Sequence, residues 1–397
     1  MIATNDVVIV GMGRTPRGKF GGTLKEMDVI DLGASVIPEV LKRANVKPEQ
    51  VDLVTWGHTR PTGYEGDTGR LVSLTAGIPV NVPAFTINMA CISAMQAVIS
   101  GIQAIVTGNA QVVVAGGMES MSTGNYLLKG ARWGFKSGPK TIFDELYVPP
   151  RSSKFSMGET AENVAEKYGV TREAQDIYSV ESHKKAAFAQ DNGYFNDEII
   201  PIPVPQSKGP AVMFSKDECI RKDTDLAKLQ ALPPLFRKDG TVTAGNACPL
   251  TDGANAVVFT SRKRAQELGL KPLASFVSYA TGAVDPAYMG IGPVVAVPKA
   301  LANAGMKLSD IDLIEQNEAF ASIVLASAKE LGYDMTKLNV NGGAIALGHP
   351  TGSTGSRLLI TLYYALKRRN ARTGLATLCG GTGVTGSIII KREVYKS

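Results

Sequence analysis

Short apolar runs alternate with segments of helical character along this chain. Residues 7–10, 112–114 and 375–378 are apolar runs of strand length, whereas residues 97–106 and 353–366 have the length and apolar content of helices. Such alternation is typical of parallel or mixed sheets covered by helices, so the pattern predicts a layered α/β architecture. No run approaches the roughly 18 apolar residues of a membrane-spanning helix, which argues against membrane insertion.

An internal repeat runs through the chain. Residues 41–54 reappear as residues 301–314 at a constant offset of 260, and each copy reads as a helix, a turn and a buried strand. A second echo pairs residues 112–117 with residues 376–381 at an offset of 264. Self-similarity of this kind indicates a duplicated structural unit.

The repeat predicts a division into two similar α/β halves and an insertion. The N-terminal half is expected to comprise residues 1–119 plus a return segment, residues 250–270, and the C-terminal half residues 271–397. Residues 120–249 are charged, weakly periodic and punctuated by prolines, so we expect them to form an inserted loop domain over the first half.

Composition excludes several classes of protein. The chain has 397 residues, of which 44% are hydrophobic and 20% charged, so it is not mainly disordered. Its net charge of +6 suits an anionic small ligand. The basic residues are not gathered into a concentrated face, which argues against nucleic-acid binding.

The cysteines indicate a reducing environment. Cys91, Cys219, Cys248 and Cys379 are widely spaced and form no C-x-x-C pair, so neither a disulfide framework nor a zinc-ribbon spacing is present, and no metal-ligand set is expected. The N-terminus runs into a strand-like segment without a cleavable leader pattern. We therefore expect a cytoplasmic protein with reduced thiols.

Cys91 is the first candidate for chemistry. It immediately precedes an apolar helix-like stretch, which predicts a thiol at a helix N-terminus, where unpaired N–H groups and the positive dipole end favour the thiolate. A small core residue is the alternative reading of a lone cysteine.

His349 lies in the glycine-rich run 341–352, just before the predicted helix. Its imidazole could act as a general base near neutral pH, although a structural histidine in a tight turn is the alternative. His58 and His183 have no comparable surroundings and are expected to be structural.

Cys379 ends a strand and opens the glycine-rich turn 379–383, whose N–H groups could face an anion. It lacks the lysine of a phosphate-binding loop. Residues 11–18 imitate a dinucleotide fingerprint, but Pro16 interrupts the pattern and argues against a nicotinamide site.

These motifs occur together with others in an order that resembles the thiolase family along essentially the whole chain. The matching segments are residues 14–16, 88–95, 116–122, 157–158 with 160–163, 240–247, 288–293, 317–320, 342–352 and 379–383. The resemblance implies a thiolase-like fold of duplicated α/β halves in αβαβα layers. It also implies an acyltransferase that joins or splits acyl-CoA molecules by reversible Claisen condensation.

The resemblance implies a role for each matching residue. Cys91 looks like the nucleophile that becomes acylated, His349 like the base that activates it, and Cys379 like the second acid/base. Asn317 would hold a water that, with His349, stabilises the enolate oxygen. The N–H groups of Cys91 and Gly381 look like the oxyanion hole for the tetrahedral intermediate.

The substrates implied are acyl-CoA and free CoA, with no further cofactor. Arg221 matches a basic position near the nucleotide phosphates, and Met157, Cys248 and Met289 are expected to contact substrate or CoA. Acetoacetyl-CoA is the leading substrate. Ser156, Cys248 and residues 148–152 differ from the usual short-chain pattern, so a longer, branched or aromatic 3-ketoacyl-CoA stays an alternative.

Two other readings and the assembly are also considered. A ketoacyl synthase-like enzyme would use a second histidine where Cys379 stands, which disfavours it. A non-catalytic acyl-CoA-binding scaffold is disfavoured because all four matching catalytic side chains are present. The resemblance further implies a homodimer or a homotetramer.

Overall fold

The computed structural model describes residues 3–147, 151–206 and 208–395. The strands are β1 Val7–Arg14, β2 Gly18–Lys19, β3 Leu53–Gly57, β4 Ala84–Ile87, β5 Val112–Ser120, β6 Tyr126–Leu127, β7 Phe143–Asp144, β8 Ile202–Val204, β9 Val212–Phe214, β10 Thr251–Ser261, β11 Ala274–Ala283, β12 Leu313–Gln316, β13 Thr373–Cys379 and β14 Val384–Arg392. The α-helices are α1 Val29–Ala34, α2 Ile37–Ala44, α3 Thr68–Thr75, α4 Ser93–Val106, α5 Met157–Tyr168, α6 Arg172–Asp191, α7 Leu226–Gln230, α8 Arg262–Glu267, α9 Pro293–Ala304, α10 Ala321–Leu331, α11 Ala344–Leu347 and α12 Thr354–Arg368.

The main sheet consists of two parts with the same topology. The first has the strand order β4-β3-β5-β10-β1, and the second has the order β12-β13-β14-β11. β3 pairs parallel with β5, as β12 does with β13, and the following pairs, β5 with β10 and β13 with β14, are antiparallel. β4 adds a further parallel strand at the edge of the first part. Within the described residues, the two parts of the sheet join where Val8 and Ile9 of β1 pair with Ser275 and Ala274 of β11.

Successive side chains along each strand pack into different hydrophobic layers on the two faces of the sheet. Val8 and Val10 of β1 pack with α1, α2 and α3 on one face, whereas Val7 and Ile9 face a central layer that contains α4 and α12. On the second part, Ile388 and Ile390 enter that central layer, and Ile389 packs outward with α9 and α10. Period-two alternation on twice-covered sheets gives the expected αβαβα order.

The repeat extends to individual contacts. Asp52 accepts hydrogen bonds from the backbone N–H groups of Gln111 and Val112, and Asp312 accepts the equivalent bonds from Arg372 and Thr373. In both halves a carboxylate therefore ties the connection before one parallel strand to the start of its neighbour.

The second sequence echo is wrong in register. Leu53 pairs with Val113, and its repeat partner Leu313 pairs with Gly374, so Val113 corresponds to Gly374 rather than to Thr377. The echo aligned the glycines that follow the two strands, whereas the sheet aligns their hydrogen-bonded interiors.

The segment between β5 and β10 is fastened to the first half by buried charges. Arg14 of β1 donates to Glu198 at 2.7 Å and to both carboxylate oxygens of Asp217 at 2.7 and 2.9 Å. All three side chains are buried. Among the described residues, no helix is long and apolar enough to cross a membrane. The domain boundaries at residues 119, 249 and 270 stay predictions.

Candidate active site

Cys91 lies in a tight loop that leads into α4. Ala90 adopts a left-handed conformation with φ of 50°, and Ile92 is the N-cap residue of the helix. The Ser93 hydroxyl accepts a hydrogen bond from the Met89 N–H at 2.9 Å and donates to the Ala90 carbonyl at 2.5 Å. These bonds close the loop and hold Cys91 at the positive end of the helix dipole.

Two opposing effects act on the Cys91 thiol. Burial raises its pKa, whereas the backbone N–H of Gly381 and the charge of Arg60 lower it, and burial is the larger effect. The N-terminus of α4 favours the thiolate, so the expected thiolate at this position stays a prediction.

The turn that carries Cys379 packs against the Cys91 loop. A Cβ built on Gly380 would lie 3.4 Å from the Cys91 nitrogen, and one on Gly381 would lie 3.7 Å from the Ala90 Cβ. Thr382 and Gly383 have φ values of 68° and 87°, and the Gly380 N–H donates to the Val384 carbonyl at 2.7 Å. This left-handed turn leaves the Gly381 N–H free to face Cys91.

Cys379 itself is buried at the end of β13. Burial raises the pKa of its thiol strongly, and the neighbouring Cys91 raises it further. Cys379 is thus a neutral thiol at rest, in the state that can donate a proton.

His349 is buried and held at both ring nitrogens. Its Nδ1 lies 2.7 Å from the Thr354 hydroxyl, and its Nε2 lies 3.4 Å from the Asn317 amide nitrogen. Because that hydroxyl donates to the Pro350 carbonyl at 3.0 Å, it accepts from Nδ1–H. We therefore assign the tautomer in which Nε2 is unprotonated and accepts a weak hydrogen bond from the Asn317 amide at 3.4 Å.

Burial lowers the pKa of His349 to about 3, and the charges of Arg357, Arg17 and Arg60 add to this effect. The imidazole is thus neutral across the physiological range and able to accept a proton.

The N-termini of α4 and α12 meet between the two halves. A Cβ on Gly355 of α12 would lie 2.4 Å from the Met95 nitrogen of α4. The Gly352 carbonyl fits equally closely against β3 and β5, since Cβ atoms on Gly57 and Gly117 would lie 2.5 and 2.1 Å from it. Only glycine allows such close backbone approach.

The structure places Cys91 beside the turn that begins at Cys379, and His349 beside Asn317. The two pairs come from both halves and are carried by segments that adjoin the junction where the N-termini of α4 and α12 meet. The other predicted residues lie at different distances from it. The Met157 sulfur lies 3.4 Å from where a Cβ of Gly381 would be. Met289 is buried in the hydrophobic cluster that contains Cys379, and Cys248 packs against the same cluster.

Arg221 is exposed on the inserted segment. Its backbone N–H donates to His183 Nδ1 at 3.1 Å, and its guanidinium lies 3.5 Å from the Ala244 carbonyl. These contacts do not connect it to the Cys91 group. Residues 148–150, part of the divergent acyl-pocket stretch, lie outside the described residues.

Sequence reasoning missed the polar side chains that support His349. Glu318 accepts hydrogen bonds from Tyr178, Ser182 and the Ile345 N–H, at 2.8, 2.7 and 3.1 Å. Glu119 and Arg17 reach the same turn from the first half. Glu119 and Glu318 lie within segments that match the family pattern. Their place in those segments was the signal in the sequence that could have identified them.

Comparison with known proteins assigns the family. The model of the thiolase N-terminal domain matches residues 7–263, and that of the thiolase C-terminal domain matches residues 270–392. The chain belongs to the thiolase family. The predicted αβαβα fold and the predicted acyltransferase class are confirmed.

Curated relatives and solved structures resemble this thiolase along their full length. The acetyl-CoA acetyltransferase of Cupriavidus necator is 48% identical over 98% of the chain and 100% of that protein. The crystal structure of the Bacillus anthracis acetyl-CoA acetyltransferase has a TM-score of 0.97 at 44% identity, covering 99% and 100% of the two chains. Human mitochondrial 3-ketoacyl-CoA thiolase in complex with CoA has a TM-score of 0.93 at 42% identity, covering 98% of each chain.

Proposed function

We propose that this thiolase catalyses the reversible thiolysis of a 3-ketoacyl-CoA through an acyl intermediate on Cys91. One observation supports the assignment: the turn that begins at Cys379 packs against the Cys91 loop at the α4 N-terminus, where a Cβ on Gly380 would lie 3.4 Å from the Cys91 nitrogen. The proposed nucleophile and the proposed second acid/base are therefore carried by adjoining loops.

In thiolysis, Cys91 attacks the 3-keto carbon while His349 Nε2 accepts the thiol proton. The bond between the second and third carbons then breaks, Cys379 protonates the departing acetyl-CoA enolate, and the acyl group stays on Cys91. Free CoA transfers its thiol proton to Cys379 and attacks the thioester, which releases acyl-CoA. The Cys91 thiolate that departs takes back the proton held by His349, so both thiols and the neutral imidazole are restored. The condensation direction reverses these steps.

The oxyanions need donors at two places. The N–H groups of Cys91 and Gly381 are assigned to the tetrahedral intermediate, where the α4 dipole adds positive potential. His349 and a water held by Asn317 are assigned to the enolate. Removing one donor of this kind costs on the order of 100- to 1000-fold in rate.

Acetoacetyl-CoA is the proposed 3-ketoacyl substrate, because relatives across the full length are named acetyl-CoA acetyltransferase. The likeness to 3-ketoacyl-CoA thiolase keeps longer chains as the second candidate. Arg221 is assigned to the CoA phosphates, and Met157, Cys248 and Met289 to the acyl and pantetheine portions. The homodimeric or homotetrameric assembly and the cytoplasmic location stay predictions.

Steady-state thiolysis across 3-ketoacyl-CoA substrates of increasing chain length tests this proposal. We expect the highest kcat/KM with the four-carbon substrate and almost no turnover in Cys91→Ser. A preference for longer chains would replace acetoacetyl-CoA as the substrate. Absence of thiolysis with every CoA substrate would favour the non-catalytic scaffold, and activity only on carrier-protein thioesters would favour a ketoacyl synthase.

A further inference from the structure

Glu119 is a fully buried carboxylate at the carboxyl end of β5, and it joins the two halves. Its Oε2 accepts hydrogen bonds from the Gly352 N–H at 2.9 Å and the Thr351 hydroxyl at 2.7 Å, both in the second half. From its own half it accepts bonds from the N–H and the hydroxyl of Thr59. Its Oε1 lies 3.3 Å from His58 Nε2.

These contacts act on the turn that carries His349. The Ser353 N–H donates to the Pro350 carbonyl at 3.0 Å, and the Thr354 hydroxyl donates to the same oxygen while accepting from His349 Nδ1. Among the described residues, the Gly352 N–H has no hydrogen-bond acceptor other than Glu119. The Glu119 carboxylate therefore holds Thr351 and Gly352 in the middle of the turn, between His349 and the Thr354 hydroxyl that binds its imidazole.

Glu119 keeps its charge in this buried place. Burial alone would raise the pKa of its carboxyl group, but His58, Arg60 and Thr59 outweigh burial and hold the pKa at about 2. Its hydrogen bonds to the turn are therefore charge-assisted at any working pH, and bonds of that kind are roughly twice as strong as neutral ones.

We infer that Glu119 is a positioning residue that sets the imidazole of His349 against the Cys91 loop across the junction of the halves. The inference rests on the proposed function, in which His349 accepts the Cys91 proton. Among the described residues Glu119 makes no hydrogen bond to either thiol; it binds the turn directly, and its negative charge also raises the pKa of His349 and of Cys91. Misplacing a reacting group by about 1 Å costs about 100-fold in rate.

Two substitutions and one control test this role in the full-length enzyme. Glu119→Ala removes every acceptor, whereas Glu119→Gln keeps one oxygen for Gly352 and Thr351 and turns its amide nitrogen toward His58. Asp52→Ala is the control, because Asp52 binds two backbone N–H groups at the opposite end of the same strand. Acetyl-CoA titration of acylatable Cys91 gives kcat per active site, and KM and Tm are measured alongside.

We expect Glu119→Ala to lower kcat per titrated site about 100-fold with KM within about twofold of the parent enzyme. Glu119→Gln should recover activity to within about tenfold of the parent, the difference between a charged and a neutral acceptor. Asp52→Ala should lower Tm and leave kcat per site unchanged.

A Glu119→Ala enzyme whose activity falls only in proportion to its titratable thiols would overturn the inference, as would equal losses of kcat per site in Asp52→Ala. If Glu119→Ala does not fold, Thr351→Val takes its place, because it removes one hydrogen-bond donor to Glu119. Unchanged kcat in both Thr351→Val and Glu119→Gln would then contradict the positioning role. Failure of the proposed function shows separately, as absence of an acyl-Cys91 adduct in the unmodified enzyme.

Discussion

The carboxyl ends of the central strands do different work in the two halves. At the ends of β3 and β5, Gly57 and Gly117 receive the Gly352 backbone so closely that a Cβ on either would meet it within 2.5 Å. The ends of β12 and β13 carry Asn317 and Cys379, which have an amide and a thiol side chain where the first half has glycine. One repeated topology therefore gives an anchoring edge in the first half and a reactive edge in the second.

The two edges are reciprocal. The first half anchors the turn that carries His349, and the second half carries the turn that faces Cys91. Neither half holds the whole group of side chains, so the junction itself is the functional element. The edge in the first half has glycines at the strand ends, whereas the edge in the second half has a thiol and an amide side chain.

The reactive edge is expected to show the largest effect on rate. Cys379→Ala should lower kcat for thiolysis by about 100- to 10,000-fold, the usual contribution of a general acid or base, while leaving Tm nearly unchanged. Acylation of Cys91 by acetyl-CoA should be slowed as well, because in that direction Cys379 returns its proton to the departing CoA. Unchanged acylation would show that Cys379 serves only the carbon–carbon step.

Alanine substitution of one glycine at each edge tests whether the two edges differ in how tightly they are packed. Gly117→Ala places a Cβ 2.1 Å from the Gly352 oxygen, so we expect destabilisation of about 1–3 kcal/mol, read from urea unfolding. Gly381→Ala meets nothing nearer than the Met157 sulfur at 3.4 Å and should keep its stability. Equal destabilisation by both substitutions would remove the distinction between the two edges.

The protonation state of Cys91 gives a third test. Because burial raises the pKa of its thiol, the thiolate fraction should still be increasing above pH 9, and so should the rate of iodoacetamide labelling. Mass spectrometry of the labelled peptide gives the rate at each pH. A plateau below pH 7 would indicate a Cys91 thiolate at neutral pH and would contradict a pKa raised by burial.

The smallest effects are expected where the halves are alike. Asp52→Asn and Asp312→Asn each weaken the same pair of backbone hydrogen bonds, so both should lower stability by about 1 kcal/mol. Thermal unfolding of the two variants side by side measures the difference between them. A loss of stability in only one of the two variants would show that the halves share their strand topology but not the strength of these hydrogen bonds.

Sequence reasoning reached the fold and the family because both depend on patterns that are local in the chain. The duplication at residues 41–54 and 301–314 predicts the shared topology, and the motifs around Cys91, His349 and Cys379 predict the group that meets at the junction. The roles of these residues stay predictions until they are measured.

Other features depend on contacts between distant segments. Glu119 gains its partners Thr351 and Gly352 only when the halves meet, so no spacing along the chain reveals them. The balance of effects on the Cys91 thiol is another such feature, because a sequence indicates the helix dipole but not the burial that opposes it. The register of the second echo failed for a similar reason, since strand pairing and not glycine position decides it.

The central claim is that the junction makes Cys91 an acyl carrier. Brief incubation with acetyl-CoA, acid quenching and peptide mass spectrometry tests it most directly. One acetyl group is expected on the peptide that contains Cys91, lost on adding free CoA and absent in Cys91→Ser. An unmodified Cys91, or an acetyl group carried instead by Cys248 or Cys379, would contradict it.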